Sequence, residues 1–222
     1  MGSLSGPHWE AVTPELQSLL AALGELPELH LFYLAGGTAL GLRLGHRRSQ
    51  DLDFFANIET LTDEFRHTIT ARLAEKHTVR QLQDSFLGLV LQIDDQPVSF
   101  FTYGYPLLAP PDIVKGLQIA SVVDIGLMKL DAIAGRGTRK DFYDLYFISS
   151  RIPLDELFAQ SSEKYPGSRT FGMRVLAALV DFDIADQQPD PQMIQPVSWD
   201  QVKDFFLAEA QRLGEEWFGR DQ

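Results

Sequence analysis

The chain predicts an α/β fold of the α+β kind: a small mixed β-sheet backed by helices, followed by a helical C-terminal part. Three observations predict it. Up to residue 110, stretches with helical periodicity alternate with short apolar runs of β type. After Pro110-Pro111 the patterns turn almost wholly helical. No internal repeat or low-complexity block interrupts the 222 residues, a length that suits one domain or one with an appendage. The division expected is an α/β core over 1–110 and a helical part over 111–222 that forms the other wall of a cleft.

The elements follow in order. Thr13-Pro14-Glu15 is a helix start, with Thr13 as N-cap and Pro14 at the first helical position, and LQSLLAALGEL continues with helical spacing. Leu31 to Ala35 is a short β run ending at two glycines. Thr38 to Leu44 turns helical, with Ala39, Leu40 and Leu42 directed inward. Asp51 to Ala56 is the second strand. Thr62-Asp63-Glu64 opens a helix from Phe65 to about His77, its acids at the positive end. Phe86 to Ile93 and Pro97 to Tyr103 are apolar runs joined by Asp94-Asp95-Gln96, a hairpin.

Beyond Pro111, Asp112 to about Gly135 and Arg139 to Ser150 read as helices, separated by the break Gly135 to Thr138. Thr138 stands at an N-cap with Asp141 three residues on, the spacing of a capping box. Further helices follow Pro153. A polar, proline-rich loop runs from Ile184 to Pro196, before an amphipathic helix from Trp199 to Trp217.

Composition narrows the function classes. Hydrophobic content of 45% and charged content of 23% are those of a globular protein in water. With no cysteine, disulfides, thiolate metal sites and a cysteine nucleophile are excluded, and a reducing cytoplasm suits the chain. The N-terminal residues lack the charged and apolar regions of a signal peptide. No apolar run approaches the ~18–20 residues that cross a bilayer, so no membrane partner is expected. The net charge of −12 argues against tracking along a long nucleic-acid duplex. Two basic clusters stand out against it: Arg43, His46, Arg47 and Arg48, and then Arg136, Arg139 and Lys140. A nucleotide, with Arg48 among its contacts, or a single RNA end could be held there, while Arg136, Arg139 and Lys140 either bind phosphate or are surface charge.

The most informative segment is LAGGTALGLRLGHRRSQDLDFF, Leu34 to Phe55. Asp51 and Asp53 are two apart in a strand and so share a face, while Leu52 points the other way into a core. Two aligned carboxylates suit a hard divalent cation such as Mg²⁺, which takes oxygen ligands and keeps water or phosphate. Without a cation between them they repel. Gly36 and Gly37 allow close backbone approach to a phosphate, and successive N–H groups there make an anion nest. Thr38 adds a hydroxyl. The plainer alternatives are an ordinary strand-to-helix turn and a solvated strand edge.

GGTAL followed by HRRSQDLDFF resembles the signature of the nucleotidyltransferase superfamily. With LMKLDAIAGRGTRKDFYDLYFI behind it, the chain is similar to the AbiEii-type branch, the abortive-infection toxins of bacterial toxin–antitoxin pairs. The likeness runs from about Leu31 to Ile148. It implies a nucleotidyltransferase-like sheet and transfer of a nucleoside monophosphate from an NTP to a hydroxyl acceptor. That acceptor would be an RNA, such as a tRNA 3′ end, and a cognate antitoxin is implied as partner; the acidic balance makes a protein side chain a competing acceptor. By the same likeness Gly36, Gly37 and Thr38 cradle the phosphates, Asp51 and Asp53 hold Mg²⁺, Lys129 contacts the triphosphate and Asp141 completes the site.

Alternatives stay open for each of these. Lys129 either serves the site or snorkels past an apolar face. Asp141 either joins the site or serves as an N-terminal helix acid, with Asp144 as rival carboxylate. Phe142, Tyr143, Tyr146 and Phe147 read as core, not as a base-stacking platform. One departure stands out: many enzymes of the superfamily carry a third carboxylate on a later strand, and PVSFFTY has Ser99 in that place. Either two carboxylates with Asp141 suffice, or the chain is a degenerate nucleotide-binding module. A small-molecule (antibiotic) nucleotidyltransferase would share the chemistry.

Overall fold

A computed structural model describes Leu4 and residues 6–219. Two compact units are present, Met1–Ser121 and Val122–Gln222.

In the first unit Thr13 caps α1 (Pro14–Gly24) as its sequence requires, its Oγ1 accepting the Leu16 N–H at 3.2 Å. A 3₁₀ turn over Pro27–Leu31 follows, so the β run expected from Leu31 begins only at Tyr33: β1 is Tyr33–Ala35. Pro27 favours the turn and Leu31 is left exposed. Helix α2 (Gly36–Leu44) starts on the strand's heels and buries Ala39, Leu40 and Leu42 completely. Next come β2 (Leu52–Ala56), α3 (Asp63–Ala74), β3 (Val79–Ser85), β4 (Gly88–Ile93), β5 (Gln96–Thr102), β6 (Asp112–Val114) and β7 (Leu117–Ile119).

Among the described residues the seven strands make one sheet in the order β3-β4-β5-β2-β1-β7-β6. It is mixed: β2 pairs antiparallel with β1 and parallel with β5. Burial alternates along β2, with Leu52 and Phe54 wholly buried and Asp53 and Phe55 partly open. The buried face carries aromatic packing, Phe54 stacked on Phe100 at 5.4 Å and Phe32 on Phe65 at 4.9 Å.

Three expectations change here. The edge strand β3 was not anticipated; its residues are polar and largely exposed, so no apolar alternation announces it. The stretch after Pro111 opens as the β6–β7 hairpin, not as a helix. Its apolar spacing, Ile113, Val114 and Leu117, satisfies i, i+3 and i+4 as readily as two short strands. The positive φ of Lys115 and Gly116 closes the hairpin. Finally, the strand read from Asp51 begins at Leu52, with Asp51 on its threshold.

The second unit is helical: α4 (Val122–Gly135), α5 (Arg139–Ser149), α6 (Leu154–Lys164), α7 (Phe171–Ala178), α8 (Asp183–Asp186) and α9 (Trp199–Phe218). The loop read from Ile184 therefore starts inside a short helix, one turn too brief to show a period. A full capping box, Ser198 with Gln201, opens α9. Phe142 is buried against Phe182, Trp199 and Phe206 at 5.2, 5.8 and 5.4 Å, and Tyr146 meets Phe205 at 5.2 Å, so these rings build core. Lys164 Nζ and Asp124 Oδ1 form a fully buried ion pair at 2.8 Å between α6 and α4. Among the described residues no helix is long and apolar enough to cross a membrane.

Candidate active site

In the first unit the site grows from the corner where β1 becomes α2. Register pairs Ala35 with Asp53 across the antiparallel β1–β2 ladder, so the next residue, Gly36, lies against that aspartate. Gly36 has φ +65, and a Cβ on it would stand 2.9 Å from Asp53 Oδ2. Only glycine meets both demands. Helix α2 then begins with Ala35 as a cap residue that offers no side-chain acceptor. Its first-turn N–H groups lack intrahelical partners, as in any helix, and carry the positive end of the dipole.

Thr38 does not leave its hydroxyl proton for a ligand: Oγ1 donates to the main-chain oxygen of Asp51 at 2.5 Å. The bond ties the first turn of α2 to the entry of β2. Ser49 Oγ donates to Asp51 Oδ1 at 3.0 Å, which fixes the carboxylate from the other side. Asp51 and Asp53 are both partly exposed and flank the wholly buried Leu52. Ser99 is the register partner of Asp53 on β5, so the position where a third acid was sought does lie beside the pair, and holds a hydroxyl.

The arginine at this corner is Arg47. It is 5% exposed, its Nη1 donates to the Arg48 carbonyl at 3.1 Å, and its Nη2 occupies the space above Gly37. Arg48 is exposed and lines a hollow of about 370 Å³ with Trp9, Glu10, Thr13 and Gln17. Arg47 is read from the sequence only as one of a basic cluster, and Ser49 was missed, although a signal existed. Residues 47, 49, 51 and 53 alternate with 48, 50, 52 and 54, so extending the period-two reading upstream groups all four.

In the second unit Lys129 is 4% exposed, and its ammonium bridges two wholly buried carboxylates, Asp141 Oδ1 at 2.8 Å and Asp144 Oδ2 at 2.6 Å. Lys129 is thus not a snorkelling side chain, and both acids weighed from the sequence hold it. Asp141 also takes Arg136 in a two-pronged bond, Nε to Oδ2 at 2.9 Å and Nη2 to Oδ1 at 3.0 Å. Thr138 Oγ1 donates to the same carboxylate. The capping box expected at Thr138 is therefore not made: the residue stands at the N-cap but makes no side-chain cap bond. Burial pushes the Asp141 carboxyl up, yet the Lys129 charge and the Arg136 guanidinium outweigh burial and hold it well below the usual carboxylate range. Burial and the neighbouring Asp190 raise the Tyr143 hydroxyl to about 12.

The first unit thus brings together Gly36, Gly37, Thr38, Asp51 and Asp53, and the second brings together Lys129 and Asp141. Among the described residues no cluster of three or more His, Cys, Asp or Glu is set to hold a metal.

Comparison with known proteins bears on what such a chain does. The family described as "Nucleotidyl transferase AbiEii toxin, Type IV TA system" matches residues 18–217. An uncharacterised protein of Aquifex aeolicus is 40% identical over 180 residues, covering 79% of this chain and 84% of that one. Among solved structures, MenT4, a nucleotidyltransferase toxin of Mycobacterium tuberculosis, is similar with a TM-score of 0.54 at 18% identity, covering 88% of this chain and 84% of that one. JHP933 from Helicobacter pylori is similar with a TM-score of 0.50 at 17% identity, over 96% and 94%. These two likenesses speak for the fold, and the family match speaks for the chemistry. With the family pattern spanning the glycine corner, the aspartate pair and the Lys129–Asp141 bridge, the chain belongs to the AbiEii nucleotidyltransferase toxin family and is a nucleotidyltransferase of α/β fold.

Proposed function

We propose that the chain moves a nucleoside monophosphate from a Mg²⁺-bound NTP to a hydroxyl acceptor, an RNA 3′ end such as that of tRNA, and acts as the toxin of a pair with a cognate antitoxin. The observation that supports it most is Gly36 pressed against Asp53, with Asp51 at the entry of β2 and both carboxylates partly exposed. The donor set suits Mg²⁺, which is bound in nucleotide enzymes through one or two carboxylates together with substrate phosphates. Asp51 and Asp53 would hold the ion, whose chemistry is to offset phosphate charge during in-line displacement.

The chain's own residues do the rest. The acceptor oxygen forms a bond to the α-phosphorus, the bond from that phosphorus to the pyrophosphate oxygen breaks, pyrophosphate leaves, and the hydroxyl proton passes to solvent water. Gly36, Gly37 and Thr38 present the N-terminus of α2 to phosphate oxygens. By the family likeness Arg48 would bind the nucleotide from the basic turn and Lys129 would contact the triphosphate; Arg48 is exposed, and Lys129 is fixed by two carboxylates. Asp141, ionised and saturated by donors, holds Lys129 in place and is not a proton acceptor.

The test is incubation with each labelled NTP, Mg²⁺ and total RNA or lysate, comparing wild type with Asp53→Ala. Label appearing on RNA with wild type and falling at least a hundredfold in the variant is the expected outcome. Label on protein alone would overturn the RNA acceptor, and label on an added aminoglycoside alone would point to a small-molecule acceptor. Ser99 beside Asp53 favours one rival reading, a module that binds NTP without turnover. Binding of Mg²⁺–NTP with no transfer to any acceptor would establish it.

A further inference from the structure

Two glycines in succession at a phosphate-binding corner suggest that both make room for a ligand. The second does something else. A Cβ built on Gly37 meets no empty space: it would lie 2.2 Å from Arg47 Nη2, 3.0 Å from Arg47 Cζ and 3.1 Å from Ser49 Oγ. The guanidinium lies directly on the Cα of residue 37. It is also confined, being 5% exposed with Nη1 bonded to the Arg48 carbonyl. Moving it aside would break that bond inside the protein and disturb a buried charge.

What shares the space above Gly37 gives the contact its consequence. Ser49, which shares the space above Gly37, donates to Asp51 Oδ1, and the Asp51 main-chain oxygen takes the Thr38 hydroxyl. Arg47, on the segment that leads into Asp51, thus packs its guanidinium on the first turn of α2. Resting on the nucleotidyltransferase reading above, we propose that Arg47 is a positioning residue. Its guanidinium sets the spacing between the α2 N-terminus and Asp51, and residue 37 is glycine to admit Arg47, not a phosphate. It acts through Ser49 and Asp51 and does not itself contact the nucleotide.

A double-mutant cycle tests this. Gly37→Ala, Arg47→Ala and the combined variant are compared by thermal unfolding without nucleotide and by transfer from labelled NTP with Mg²⁺. Gly37→Ala alone is expected to lower kcat at least tenfold and to lower the unfolding midpoint. On the Arg47→Ala background the same methyl should cost less than twofold in kcat and leave the midpoint unchanged. Arg47→Lys, which keeps the charge but not the planar fork, should lower kcat about tenfold with the KM for NTP within threefold. An equal cost of Gly37→Ala on both backgrounds would overturn the proposal. So would a raised KM at unchanged kcat in Arg47→Lys, which would make Arg47 a direct phosphate ligand. Should Arg47→Ala fail to fold, Arg47→Lys carries the cycle. Should Gly37→Ala fail to fold, its recovery in the combined variant supports the proposal and its failure there overturns it. The unfolding cycle needs no turnover, so a wild type that transfers nothing would sink the function proposed above and leave the Gly37–Arg47 packing separately decided.

Discussion

Asp141 has no exposed surface and receives hydrogen bonds from Lys129, Arg136 and Thr138. Such an acid is worth most to the fold when ionised. Its native pKa lies below the ordinary value, so between the two the unfolded chain binds more protons and stability rises with pH. The contribution is complete above the unfolded value of about 3.9 and is lost as pH falls through the depressed native one. Asp141→Asn should therefore destabilise the protein by about 3–5 kcal/mol near neutrality, the cost of breaking a buried pair while keeping its partner. The deficit should narrow at about pH 3. Urea unfolding of both proteins at the two pH values measures this, and a deficit that grows toward acid would refute it. The same geometry shows what residues reveal in advance. Lys129 and Asp141 were each singled out because their block matched a family pattern, but their ion pair, with Asp144 as an equal partner, was not legible, since a bridge between two helices has no signature along the chain.

At the scale of elements, legibility followed exposure and length. Helix α1 was readable through Thr13-Pro14, and α9 through an amphipathic pattern twenty residues long. The β4–β5 hairpin was readable because Asp94-Asp95 separates two apolar runs, and both residues do take positive φ. Edge strand β3 was unreadable for the opposite reason, having no face to bury. The β6–β7 hairpin hid inside a helical spacing, and its real determinant is tertiary. Gly116 has φ +82, and a Cβ there would stand 2.6 Å from the Gly24 carbonyl oxygen at the end of α1. A Cβ on Gly24 would in turn stand 1.8 Å from the Lys115 oxygen. The hairpin tip and the helix end meet backbone to backbone. Gly116→Ala should cost about 1–2 kcal/mol for the left-handed conformation alone, and more with the lost docking. Gly24→Ala, whose methyl meets an oxygen head-on, should lower the unfolding midpoint at least as far. Thermal unfolding of the two variants checks both, and a neutral Gly24→Ala would mean that this contact does not hold the hairpin.

For the whole molecule the decisive quantity is charge. Nineteen Lys and Arg against thirty-one Asp and Glu leave −12, and several of the cations are already committed. Arg43 donates to Asp112 and to the Ala120 and Ile119 carbonyls, Arg139 to Asp190, and Lys164 to Asp124. Arg48 and Arg136 are among those with exposed surface. A protein so balanced repels a long polyanion and is suited to gripping a short piece of one. If an RNA 3′ end is the acceptor, the grip should involve about two phosphates. Counterion release then gives a loss of apparent affinity of about tenfold or less between about 50 and 200 mM salt, against 10³–10⁵ for a protein that makes six to ten phosphate contacts. The measurement is the apparent KM for RNA in the transfer assay across a KCl series, with the KM for NTP followed in parallel to separate the acceptor from the donor. A loss of three orders of magnitude would show an extended phosphate track, which would have to be assembled despite the net charge. A shallow slope would place recognition in the terminal nucleotides, where hydroxyl and base contacts, insensitive to salt, select the acceptor.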